Sequence, residues 1–175
     1  MGDKSKVRFQ PIYDDFNGEL VVLVGGSNCD HDLTLKALNE LRQNYSNVGM
    51  QIRSDGGKEF DNQYVKAFFE NNKIEWKKIS KPYDNPFAER GIRTLKHEYF
   101  DQIWIGNFEE FDNIISIVKS HYNESRPHQS FENKTPLEVR MEVTDNKKDY
   151  SAPQETEKWD SLCRAKLKRA NTAVC

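Results

Sequence analysis

Two carboxylates stand out by where they fall in the chain. Asp55 closes the β-prone run from Met50 to Ser54 and precedes Gly56-Gly57, while Glu89 follows the proline-bounded stretch Lys81-Pro82-Tyr83-Asp84-Asn85-Pro86. An acid at the end of a strand in an α/β fold lies at the sheet edge where ligands and catalytic groups collect. An acid in the first turn of a helix meets the positive end of the helix dipole. Carboxylates that converge at neutral pH hold divalent cations, and such cations activate a nucleophile and stabilise a leaving oxygen in phosphoryl transfer. Each acid also has a plain structural use, Asp55 as a turn residue and Glu89 as a dipole partner. Arg93 and Lys96, four and seven positions after Glu89, share its helical stripe and would suit a phosphate backbone. The bland alternative is a solvated face with a Glu89–Arg93 ion pair worth a few tenths of a kcal/mol.

Positioning such acids requires strands and helices in alternation. Phe9–Phe16 and Glu19–Val24 are β-prone runs around Asn17-Gly18, a strong hairpin signal because both residues tolerate positive φ. The second run, ELVVLVGG, is apolar on successive residues and predicts a strand covered on both faces. Leu33, Ala37, Leu38, Leu41 and Tyr45 then recur at helical spacing. A second helix is expected to bury Phe60, Tyr64, Ala67 and Phe68, and Ile74–Ile79 reads as a short strand. Pro86 opens a helix whose expected buried side is Ile92, Leu95 and Tyr99. Phe108, Phe111, Ile115, Val118 and Tyr122 form the cleanest helical stripe. The expected organisation is a core over residues 1–140 and a poorly ordered tail over 141–175, where acidic residues give way to the basic end RAKLKR.

The chain's 175 residues suffice for one sizeable core. Its net charge of -2 argues against a uniformly basic nucleic-acid coat, yet Lys73 to Lys96 holds seven basic residues against three acidic ones. Cys29, Cys163 and Cys175 are odd in number and far apart, which predicts a reducing compartment without a disulfide framework. MGDKSKVRFQ lacks a signal-peptide core and no apolar run is long enough to span a bilayer, so the expectation is a cytoplasmic protein with no membrane partner.

Three ordered blocks, IRSDGGKEF, SKPYDNPFAERGIRTLKHEYF and HYNESRPHQSFENKTPLEVR, resemble the integrase catalytic core of bacterial insertion-sequence transposases and retroviral integrases. The resemblance runs from Ile52 to Arg140 and implies an RNase H-like mixed sheet flanked by helices. It further implies three acids that bind Mg²⁺ or Mn²⁺ for DNA strand cleavage and transfer, with DNA ends and target as partners and multimers as the working form. Asp55 matches the second acid and Glu89 the third, with a slightly shorter spacing than the family's. Arg93 and Lys96 match positions that lie against DNA in relatives, and Lys81, Tyr83 and Asn85 match the loop before the glutamate.

The first acid is the departure. Relatives carry it on an opening strand, followed by the strand that YDDFNGELVV resembles, and here that first strand is incomplete. Asp3 is the nearest candidate, whereas Asp14 and Asp15 match the acidic hairpin position, which is no metal ligand. A two-metal clamp needs the shared carboxylate, so the alternative to an active transposase is a catalytically impaired remnant that only binds nucleic acid or a partner. A carboxylate-pair glycosidase is the third reading, disfavoured because a neutral sugar gains little from Arg93 and Lys96. His121 and His128 lack companions at zinc-ligand spacing, and the block from Tyr122 to Pro136 reads as a structural turn between two helices.

Overall fold

The computed structural model describes residues 8–45, 50–79, 86–103, 105 and 107–144. Two compact units emerge, Met1–Ile12 with Val21–Ile92, and Tyr13–Leu20 with Arg93–Cys175.

In the first unit, β1 (Arg8–Tyr13) pairs with β2 (Leu20–Gly26) as the expected hairpin, and both strands run across the unit boundary. Val21 to Val24 are buried at every position, as a strand covered on both faces requires. Helix α1 (His31–Asn44) follows, capped by Asp30, whose Oδ1 accepts the Leu33 N–H at 3.2 Å. It presses Leu33, Ala37, Leu38 and Leu41 onto β2 residues Val21, Val22 and Val24 in one core cluster. Strand β3 (Gln51–Ser54) alternates exposed and buried residues, and it pairs in parallel with β4 (Glu75–Lys78) through helix α2 (Gln63–Asn71). Parallel strands need such a crossover.

The buried face of α2 differs from expectation. Val65 and Phe69 enter the core at i, i+4 spacing, Phe68 is half-buried, and Tyr64 and Ala67 are exposed. Aromatic and apolar residues lie on several sides of this short helix, and Trp76 fixes the phase by stacking on Phe69 at 5.8 Å between ring centres.

Helix α3 (Pro86–Thr94) begins with Pro86 and runs into a π-helical turn, Leu95–Tyr99, and a 3₁₀ turn, Phe100–Gln102. Leu95 and Tyr99 are buried as expected, whereas Ile92 is 43% exposed. Gly91 and Thr94 occupy the buried side in its place. The wide turn inserts an extra residue into the helical phase, which periodicity reckoned at 3.6 residues per turn does not anticipate.

In the second unit, α4 (Phe108–Glu124) buries Phe111, Ile115, Val118 and Tyr122 of the expected stripe together with Ile114, and the Phe108 side chain lies outside the described residues. The segment from Ser125 to Thr135 turns the chain into α5 (Pro136–Thr144). A capping box starts α5: the Thr135 N–H donates to Glu138 Oε2 at 2.7 Å and the Glu138 N–H to Thr135 Oγ1 at 3.2 Å. The side chain of Asn123 clasps Leu20, accepting from its N–H at 2.8 Å and donating to its carbonyl at 3.1 Å. Arg140 donates to Glu19 at 2.7 Å, so the hairpin end is tied to α4 and α5. The connection itself is wider than a two-residue turn. Asp14 closes it by exchanging backbone bonds with Glu19 and Gly18, Gly18 takes φ +73°, and Asn17 is buried against Glu19. The described residues form a mixed α/β, RNase H-like fold, and none of their helices is long and apolar enough to cross a membrane.

Candidate metal and nucleic-acid site

Asp55 is the first residue beyond β3 and is exposed, with Oδ1 accepting the Gly57 N–H at 3.2 Å. Gly56 turns the chain with φ +72°, and a Cβ there would overlap the Lys78 stem, 2.7 Å from its Cγ and 2.8 Å from its Cδ. A Cβ on Gly57 would overlap the Glu59 carboxylate in the same way. The two glycines are therefore what lets the backbone pass beneath long side chains. Lys78 sits opposite Ser54 in the β3–β4 register. Its ammonium reaches Asp61 Oδ2 at 2.8 Å, while Lys66 reaches Oδ1 at 2.5 Å. The two lysines, Lys66 foremost, hold the Asp61 carboxyl down to about 2. Ser54 Oγ accepts from Trp76 Nε1 at 3.0 Å, which ties the end of β3 to β4.

Glu89 lies in the first turn of α3 and is exposed, Arg93 is in the last turn and exposed, and Lys96 is exposed within the π-helical turn. Among the described residues no ion pair engages Glu89, Arg93 or Lys96. The local Glu89–Arg93 pair that would have accounted for both charges is therefore not formed there. Asp3, Lys81, Tyr83 and Asn85 lie outside the described residues. No group of three His, Cys, Asp or Glu side chains among the described residues is arranged to hold a metal ion.

The family-model comparison matches residues 70–136 to the integrase core domain, a segment that contains Glu89, Arg93 and Lys96. A chain of the simian T-cell lymphotropic virus intasome, solved in complex with the PP2A regulatory subunit B56γ, superposes with a TM-score of 0.65 at 15% identity, covering 87% of this chain and 53% of that one. This is an integrase-core fold. The HTLV-2 integrase catalytic core domain, solved with magnesium in a trimeric form, gives a TM-score of 0.54 at 19% identity, covering 79% of this chain and 88% of that one. The chain thus spans about half the length of the intasome chain. No curated protein matches it in sequence.

Sequence reasoning missed what lies over the turn after Asp55. Lys78 across Gly56 is invisible to periodicity, because the strand register makes that contact. The Asp-Gly-Gly run is the signal that could have found it, since a bare backbone implies something close above. The closing block reads correctly as structure. His128 is buried, its Nε2 has no hydrogen-bond partner among the described residues, and burial foremost, with Arg126 next, pushes its pKa down to about 4. Arg126 forks onto Glu98 at 2.6 and 2.7 Å, and that hydrogen bonding lowers the carboxyl's pKa.

Proposed function

We propose that this chain is the catalytic domain of a transposase or integrase in which Asp55 and Glu89 hold Mg²⁺ or Mn²⁺ for DNA strand cleavage and transfer. One observation carries the reading: an exposed strand-end acid and an exposed first-turn acid occur together in an integrase-core fold, the second within the matched integrase core segment. The donors suit the cation. Asp55 commits Oδ1 to Gly57 and has no further partner among the described residues, and Glu89 has none there. Mg²⁺ typically takes one or two protein carboxylates and completes its shell with waters and substrate phosphates. When bound, the cation supplies Lewis acidity toward a phosphoryl oxygen and lowers the pKa of a bound water.

The chain's own residues supply presentation and charge. The Gly57 N–H orients the Asp55 carboxylate, and the first turn of α3 presents Glu89. Arg93 and Lys96 are assigned to the DNA backbone, because exposed cations without carboxylate partners among the described residues release counterions on binding phosphate, and Lys81, Tyr83 and Asn85 are assigned to DNA by their resemblance to the loop before the glutamate in relatives. The trimeric form and the intasome of the two structural neighbours support an assembly of copies acting on DNA ends and target.

The test uses duplexes made from the sequences flanking the coding region, with Mg²⁺ or Mn²⁺. Cleavage and strand transfer are expected to fall at least about a hundredfold in Asp55→Asn and in Glu89→Gln, with DNA affinity retained. Wild-type rates in Glu89→Gln would sink the assignment.

A further inference from the structure

Helices α1 and α2 begin side by side with an aromatic pair that the core does not use. His31, the first residue of α1, stacks on Tyr64, the second residue of α2, with ring centres 5.1 Å apart and planes 14° from parallel. The His31 side chain is 41% exposed and Tyr64 is 56% exposed. Burial in these helices is served by Leu33, Ala37, Leu38, Leu41, Val65 and Phe69, so the pair is free to meet something flat from outside. α1 follows β2, α2 follows the Asp55 loop, and β1 begins with exposed Arg8. Cys29, two residues before His31, feels the charges of Glu59, Arg8, Asp30 and Asp55, so all of these share one neighbourhood.

We propose that His31 and Tyr64 form a nucleobase-stacking platform for an unpaired base of the DNA beside Asp55. The two rings are nearly parallel and stacked, so the Tyr64 face turned away from His31 continues the stack, and a nucleobase is the planar partner such a face takes without regard to sequence. A base becomes available there once the end of a duplex is frayed or cut, which is the state that the proposed strand-cleaving function handles. The inference rests on that reading for the identity of the ligand, and its test is binding without turnover.

The probe is a duplex with a 3′ overhang carrying 2-aminopurine, alongside the same duplex abasic at that position, each titrated with the full chain across a salt series. Wild type should quench the 2-aminopurine. Tyr64→Ala should bind about tenfold more weakly, lose the quenching, and keep the slope of log affinity against log salt, because no phosphate contact is lost. On the abasic duplex the Tyr64→Ala penalty should vanish, and Tyr64→Trp should restore both affinity and quenching. Thermal melts of each variant keep misfolding separate from lost stacking. Wild-type affinity in Tyr64→Ala, or an equal loss on the abasic duplex, overturns the platform. A chain that binds and quenches but never cuts counts against the Asp55 and Glu89 assignment alone. A wild type that binds neither duplex overturns both.

Discussion

Gly56 decides how Asp55 is presented. Its φ of +72° is cheap only without a Cβ, and the Lys78 stem occupies the space a methyl would need. Gly56→Ala is therefore expected to cost about 1–2 kcal/mol from the left-handed backbone, with a smaller share from pushing Lys78 off Asp61. Urea denaturation of Gly56→Ala with and without Lys78→Ala separates the two, since removing the stem should recover only the smaller share. If Gly56→Ala matched wild type, the turn would not be conformationally demanding. At this scale the sequence was legible for identity and mute about company. Asp-Gly-Gly announces a tight turn, but the lysine lying over it comes from another strand, and no local pattern encodes that register.

At the scale of elements, legibility followed length and one-sidedness. Helix α4 is long and carries its apolar residues on one stripe, so its buried set could be read directly from spacing. Helix α2 is short and has aromatic residues on several sides, and the stacked Trp76 decided which of them faces inward. Helix α3 changes pitch at Leu95, which turned Ile92 outward although the local sequence looks regularly helical. The Asn123 clasp is a further element-level device. Leu20 is fully buried, and its N–H and carbonyl both depend on the Asn123 amide. Asn123→Ala leaves two buried backbone groups without that partner, for an expected loss of about 2–4 kcal/mol, measurable by chemical denaturation. A loss below about 0.5 kcal/mol would mean that the hairpin end finds other partners.

For the whole molecule, the buried imidazole sets an acid limit. His128 keeps a folded pKa of about 4 against 6.5 for the free side chain. Above pH 6.5 the ring is neutral in both states and its stability contribution is fully present. Between 6.5 and about 4 the unfolded chain takes up a proton that the folded chain refuses, so stability falls as pH falls, by roughly 3 kcal/mol over the window. Glu98, held low by Arg126, adds its own loss below the ordinary carboxylate range. Denaturation midpoints across pH 7 to 4 should show the decline, and His128→Asn should flatten it while sparing the part due to Glu98. An unchanged slope in His128→Asn would place the sensitivity elsewhere. The fold class, most elements and the location of the two acids were legible at this scale. The grouping of the chain was not, because it depends on contacts between residues far apart in sequence.

That grouping also constrains how the protein can be taken apart. The hairpin tip, residues 13–20, belongs to the same compact unit as residues 93 onward, although about half of the described chain lies between them. No single peptide-bond cleavage can then release two self-sufficient pieces. A break near residue 92 would separate Asn123 and Arg140 from the strand end they grip, and the carboxy-terminal fragment would recover its native packing only when the amino-terminal piece was added back in trans.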